Sequence, residues 1–368
     1  MTRNPTTRRR RFLAGAAAAG TAALATPAIA QGKVEWKMVT TWPKNFPGLG
    51  TGANRFAESV TAATDGRLTI KVFAAGELVP PFESFDAITR GAADLMHAAP
   101  YYWPNKNKGL QFFSAVPFGM TAAETQAWMQ FGGGQELWDK ILDPFGLKGF
   151  HAGSTGVQMA GWFNKEITSV DSVKGLKMRI PGLGGEALKK LGMIIVNLPG
   201  GEIFAALQSG AIDATEWVGP YNDLAFGFHK AAKFYYWPGM HEPGTTLEVT
   251  VDKKKFTALP ADVQRIFAEC ARAESEKLLA EFNARNGQAL ETLIRQHNVQ
   301  LKRLPNEFLQ AYGAAAGELM QELLDDRDPL TKEVTQSYLK ARREQMAWNR
   351  LAEQGYMNAR LLDYKFPG

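Results

Sequence analysis

From Val34 to Val39 apolar and polar residues alternate up to the break at Thr40-Thr41-Trp42-Pro43, the period-two pattern of a strand running into a loop. The run Ala53-Asn54-Arg55-Phe56-Ala57-Glu58-Ser59-Val60 changes to helical spacing, and Leu68, Ile70 and Val72 return to alternation. The same order recurs downstream. A helical stretch from Phe82 to Arg90 leads into Ala92-Ala93-Asp94-Leu95-Met96. Helical Gly185–Leu191 precedes the β-rich run Met193–Leu198, and helical Glu202–Gln208 precedes extended Ala211–Trp217. Strands that alternate with helices predict a mostly parallel sheet covered on both faces.

The second half turns helical. Leu259-Pro260-Ala261-Asp262 reads as a helix start with proline in the first turn, opening an amphipathic stretch that runs to about Asn298. Phe308, Leu309, Tyr312, Ala316, Leu319, Met320 and Leu323 mark another helix on one stripe, stopped before Asp328-Pro329. A last helix from about Lys332 to Glu353 carries Val334, Tyr338, Ala341, Gln345, Trp348 and Leu351 on one side. Those aromatic side chains need a surface to dock on. No fixed-period repeat, Gly/Ser linker or long charge run divides the chain. The simplest arrangement is α/β, with two lobes and a chain that crosses between them more than once.

Composition supports two cores: 368 residues, 45% hydrophobic and 21% charged, exclude intrinsic disorder and a short disulfide-stapled fold. The formal charge of +5 would suggest an anionic partner, but residues 1–30 hold five arginines (Arg3, Arg8, Arg9, Arg10, Arg11) and no Lys, Asp or Glu. Without them the 42 basic residues fall to the same number as the 37 acidic ones, and the neutral body gives no support for a nucleic-acid partner. The arginine run, then Phe12-Leu13-Ala14-Gly15, an Ala-rich stretch to Leu24 and Ala28-Ile29-Ala30, reads as an export signal cleaved before Gln31. Its paired arginines and weakly apolar core are those of a twin-arginine signal, with a general secretory signal as the alternative; either predicts a periplasmic protein. The single cysteine, Cys270, forms no intrachain disulfide and reads as a small core residue on the helical face of Val263, Ile266 and Phe267.

Signatures of an enzyme are missing. His97, His151, His229, His241 and His297 make no His-Glu-x-x-His, and neither a Gly-x-Ser-x-Gly elbow nor a phosphate-binding Gly-x-x-x-x-Gly-Lys-Ser/Thr occurs. Gly182-Leu183-Gly184-Gly185 lacks the third glycine and the acid of a dinucleotide site. More informative are Gln, Arg, acidic and aromatic residues at the ends of the expected strands: Gly153-Ser154-Thr155-Gly156-Val157-Gln158-Met159, Lys174-Gly175-Leu176-Lys177-Met178-Arg179-Ile180-Pro181, Gly210-Ala211-Ile212-Asp213-Ala214-Thr215-Glu216-Trp217-Val218-Gly219-Pro220, and Gly239-Met240-His241-Glu242.

In this order, with Phe73-Ala74-Ala75-Gly76-Glu77 and Ala115-Val116-Pro117-Phe118-Gly119 before them, these segments resemble the periplasmic solute receptors of tripartite ATP-independent periplasmic (TRAP) transporters. Thr155–Met159 and Thr215–Tyr221 are similar to the branch that takes 2-oxo or 2-hydroxy monocarboxylates together with a cation, often labelled mannitol/chloroaromatic-binding. The resemblance implies an α/β, two-lobe periplasmic binding protein with crossing connections and a long C-terminal helix. The division expected is an export signal at 1–30, mainly lobe 1 at 31–155, mainly lobe 2 at 156–250, shared crossing helices at 251–330, and a C-terminal helix and tail at 331–368.

By the same resemblance Arg179 grips the ligand carboxylate in a two-point salt bridge, for which its planar fork is suited and a lysine is not. Gln158, Glu216, Glu242 and the main-chain carbonyl of Trp217 match positions that hold the cation. Such a hard oxygen set suits Na⁺ or Ca²⁺, and the cation bridges protein and acid. Trp42, Tyr101, Tyr102, Trp103 and Trp217 fall where a cleft needs walls, Tyr101 foremost, with Gln158 also at the ligand. The resemblance further implies membrane subunits as partners, a homodimer made by swapping the last helix, and no catalysis. Two other readings share these features: an exported enzyme acting on a hydroxy acid, and a receptor of the same architecture serving an ATP-driven importer or a sensor kinase.

Overall fold

The computed structural model describes residues 32–366, so the export signal expected at 1–30 lies outside the described residues. Its strands are β1 (Val34–Thr40), β2 (Leu68–Phe73), β3 (Leu95–Ala98), β4 (Leu147–Ser154), β5 (Gly161–Phe163), β6 (Lys177–Arg179), β7 (Ile194–Val196), β8 (Ala214–Thr215), β9 (Phe234–Trp237), β10 (Thr246–Asp252) and β11 (Gln300–Arg303). They form two sheets, ordered β2-β1-β3-β10-β4 and β11-β9-β5-β8-β6-β7. Alternating strand and helix segments built the α/β architecture as expected.

One feature of that expectation is corrected: the sheets are mixed. β1 runs parallel to β2 and β3, and β6 runs parallel to β7 and β8, as helix-linked strands must. But β10 is antiparallel to both β3 and β4, and β5 is antiparallel to both β8 and β9. Each of these strands arrives from the other sheet through a short link, β4 to β5 by residues 155–160 and β9 to β10 by residues 238–245. A short link cannot carry the chain back to a parallel start, so the incoming strand enters reversed. Thr246–Asp252 therefore already lies in the first sheet, although it begins within the last residues of the stretch 156–250.

A third crossing is the helix Ala261–Arg295, 35 residues and about 52 Å long. Val263, Phe267 and Ala271 bury into the core of the first sheet, while Leu278 and Phe282 join the larger core that includes the second. Arg55, on the helix Leu49–Ala63, ties this helix down through Glu274 (2.6 Å) and Glu281 (2.7 Å). Cys270 is half-buried and packs on the edge of the first-sheet cluster. The last long helix, Pro329–Asn349, docks through Val334, Thr335, Tyr338 and Ala341, which are buried, and through Arg342, whose Nε donates to the Phe118 carbonyl (2.7 Å), whereas Trp348 is 65% exposed. No helix among the described residues is long and apolar enough to cross a membrane.

Trp103 turns away from the space between the sheets. Its indole donates to Glu248 Oε1 on β10 (2.8 Å), whose other oxygen accepts from Thr250. Burial pushes the Glu248 carboxyl up to about 7. A carboxyl whose folded pKa lies above its unfolded value favours the fold fully below the unfolded pKa, and that contribution disappears as pH rises through 7. Glu248→Gln keeps an acceptor for Trp103 and removes the titration. The variant is expected to match wild type near pH 4 and to gain on it up to pH 8 by on the order of 3 kcal/mol in urea unfolding. Parallel pH profiles would overturn this.

Candidate functional site

The glycine-bounded segment Gly175–Pro181 places Arg179 at the end of β6, level with Thr215 on β8. The side chain is 1% exposed. Its Nε donates to the Leu198 carbonyl (3.1 Å), and Nη1 donates to the Glu216 carbonyl (3.3 Å) and pairs with Glu216 Oε1. The Trp217 ring covers the guanidinium at 5.2 Å. Nη2 is buried with no partner, and so is Glu216 Oε2. An unpaired buried charge-bearing atom is costly, and here one donor and one acceptor are left so.

The two strand-like crossings run side by side. Gln158 and Gly239 form an antiparallel bridge, Gln158 N donates to the Glu242 carbonyl (3.1 Å), and Met159 N donates to the Val218 carbonyl (3.0 Å). The Gln158 amide shares its two hydrogens among Glu242 Oε2 (2.8 Å), Thr155 Oγ1 (3.1 Å) and Thr245 Oγ1 (3.1 Å). The Thr155 and Thr245 hydroxyls donate elsewhere, to the Gly156 carbonyl and to Glu242, so the nitrogen end of the amide must face them. That orientation leaves Gln158 Oε1 buried without a donor.

Burial pushes Glu216 up to about 7 against the pull of Arg179. It pushes Glu242 up to about 8, with the charge of Glu216 adding to it. His241 lies between them with Nε2 3.5 Å from Glu216 Oε2, and burial holds its imidazole below the ordinary range, so it supplies no compensating charge. Ligating atoms of Glu216, His241 and Glu242 lie within 4.8 Å of one another. The donor set fits a hard cation: Gln158 Oε1 and Glu216 Oε2 lack a partner, and Glu242 stands beside Gln158. The sequence reading missed His241, although it stands directly before Glu242.

Trp42, Tyr101, Tyr102 and Trp217, with Gln158, Leu49 and Leu247, line a narrow, half-open cleft between the sheets. Trp42 meets Trp217 edge-on at 6.2 Å, and the Tyr101 and Tyr102 rings cross at 4.8 Å. The first-sheet side contributes Trp42, Tyr101 and Tyr102, the second Trp217, and the crossings Gln158; Arg179 lies against Trp217 and Glu242 against Gln158, outside the lining itself. Trp42 is fixed by His97, whose Nδ1 accepts from the indole (2.7 Å) while Nε2–H faces the Ala152 carbonyl (3.3 Å). Burial pushes His97 down to about 4, which keeps Nδ1 free to accept. Nothing local in the sequence distinguishes His97 from a packed strand residue.

Residues 38–326 match the family described as bacterial extracellular solute-binding protein, family 7. The monocarboxylate 2-oxoacid-binding periplasmic protein of Nostoc sp. is 43% identical over 325 residues, 88% of each chain. Among solved structures, a TRAP periplasmic solute binding protein from Pseudoalteromonas atlantica with bound sodium and pyruvate is 39% identical with a TM-score of 0.86, over 89% of this chain and 99% of that one. A TRAP transporter solute binding protein from Bordetella bronchiseptica, a mixed-occupancy dimer with calcium and picolinate, is 35% identical with a TM-score of 0.87, over 89% and 97%.

Proposed function

This chain belongs to bacterial extracellular solute-binding protein family 7, and from that membership we propose that it is the periplasmic receptor of a TRAP transporter, closing over a 2-oxo or 2-hydroxy monocarboxylate and a bridging Na⁺ or Ca²⁺. The observation that carries this is the set of buried unpartnered atoms. Arg179 Nη2 is a donor awaiting an anion, while Gln158 Oε1 and Glu216 Oε2 are acceptors awaiting a cation. A 2-oxo acid brings both halves together, a carboxylate for the guanidinium and an adjacent oxygen for the metal. Arg179 and a divalent cation then offset Glu216, Glu242 and the ligand carboxylate charge for charge; with Na⁺ one negative charge is left over.

No bond is made or broken in this role. The cleft is walled from both sheets and too narrow here to admit an acid, so the lobes separate to take one in, and the crossings at Gln158 and Gly239 are where they turn. Ligand contacts from both sides favour the closed form, which the membrane subunits read. The chain forms a dimer through its C-terminal segment, where Met346, Trp348, Leu351, Tyr356, Leu361, Leu362 and Phe366 are exposed, far more apolar surface than a lone tail carries. A solution mass of one chain at tens of micromolar would overturn the dimer.

The function is tested by thermal shift after removal of metals. Pyruvate with Ca²⁺ or Na⁺ is expected to raise the midpoint by several degrees, more with Ca²⁺, and pyruvate alone far less. No shift with any monocarboxylate and cation would overturn the receptor. Steady consumption of the acid, followed by mass analysis, would support the exported-enzyme reading instead.

A further inference from the structure

Tyr101 faces two spaces. On one side it walls the narrow inner cleft, and on the other it lines a far larger chamber of about 570 Å³ at the edge between the sheets. The chamber has an apolar floor of Ile180, Leu183, Ile195, Leu319 and Leu323. Tyr101 links this floor to the head site, since the charges of Arg179, Glu216 and Glu242 act on its hydroxyl. The charged groups at the rim are Lys108, Glu186, Glu322 and Asp326, and Lys108 is already held by Asp326 at 2.7 Å.

The ring of Tyr101 fits between these spaces because of Gly182. That glycine has φ +63°, and a Cβ there would stand 3.1 Å from Tyr101 Cβ and 3.3 Å from its Cγ. The other face is met by Tyr102. The partition is thus one aromatic side chain seated against backbone.

We propose that Tyr101 is the gate that sets ligand length, with the outer chamber as a second subsite for the uncharged alkyl or aryl tail of a larger monocarboxylate whose head is held at Arg179. The inference rests on the receptor reading and extends it to the ligand's far end. With the ring in place, a short acid taken up as the lobes close is confined to the inner cleft. When the ring is removed, the tail reaches the apolar floor, and each methylene buried there gains about fourfold in affinity, the equivalent of about 0.8 kcal/mol. Each rim acid already has a lysine, Lys108 on Asp326, Lys190 on Glu322 at 2.5 Å and Lys189 near Glu186 at 3.9 Å, so a second carboxylate finds no free cation there and is penalised by the apolar floor.

The test uses calorimetric titration with saturating Ca²⁺ and three probes: pyruvate, the straight-chain eight-carbon 2-oxo acid, and its analogue ending in a second carboxylate. In Tyr101→Ala the ratio of long-acid to pyruvate Kd is expected to fall at least tenfold from wild type, with no such gain for the diacid. Ile195→Trp, which fills the outer chamber, is expected to leave wild-type pyruvate binding within twofold. The double variant Tyr101→Ala with Ile195→Trp is expected to lose the gain. An unchanged ratio in Tyr101→Ala, a gain that survives in the double variant, or an equal gain for the diacid overturns the gate while leaving the receptor standing. A wild type that binds no monocarboxylate overturns the receptor reading and the gate with it.

Discussion

Arg179→Ala is expected to abolish measurable monocarboxylate binding, a loss of roughly 10²- to 10³-fold or more. Truncating one partner of a buried, hydrogen-bonded charge pair costs about 2–5 kcal/mol or more. Here the partner is the ligand itself, brought to a guanidinium that is buried under the Trp217 ring, where water cannot replace the lost donors. The substitution also leaves Glu216 buried without its guanidinium, so the free protein is destabilised as well. Arg179→Lys separates the two effects. It keeps the charge beside Glu216 and therefore much of the stability, but one ammonium cannot reproduce a planar fork, and pyruvate affinity is expected to fall at least tenfold. Isothermal titration with pyruvate and Ca²⁺, paired with unfolding curves, reads both quantities. An affinity within threefold of wild type in either folded variant would sink the assignment of Arg179 to the carboxylate.

That Arg179 could be nominated from sequence reflects its place at a strand end inside a distinctive segment, and the same holds for Glu216 and Trp217. Their neighbourhood is set by the parallel pairing of β6 and β8, which local pattern encodes. Other parts of the site depend on where distant segments meet. Gln158 and Glu242 are 84 residues apart, and only the pairing of the two crossings aims the amide nitrogen at the carboxylate. His97 and Trp42 are separated by 55 residues, and the hydrogen bond that fixes the indole has no signature in either segment. The mixed sheets were illegible for a related reason. β10 alternates like any strand, and neither its direction nor its sheet follows from alternation, because both are decided by the short link that delivers it.

The crossing pair makes a second large effect predictable. At Gly239 a Cβ would lie 1.9 Å from the Gln158 carbonyl oxygen and 2.3 Å from its carbon, with Met159 N at 3.0 Å. All three are backbone atoms, so no rotamer change relieves the overlap, and Gly239→Ala must push the two segments apart. The groups proposed to hold the cation ride on those segments, Gln158 on one and Glu242 three residues beyond Gly239 on the other. Their 2.8 Å contact does not survive such a separation. Overpacking of this kind costs about 1–3 kcal/mol of stability, a fall of several degrees in Tm for a chain of this size. The loss of binding is expected to be larger, at least 100-fold for pyruvate with Ca²⁺, because both halves of the oxygen cage move. Gly201→Ala serves as the control: no atom lies within 4 Å of its added Cβ, and it sits in the helix Gly200–Ser209, where alanine is the better helix former. That variant should bind as wild type does. If Gly239→Ala also binds pyruvate and Ca²⁺ with wild-type affinity, the pairing of the two crossings does not position the cation site, and the turning point of the lobes must be sought along the helix Ala261–Arg295 instead.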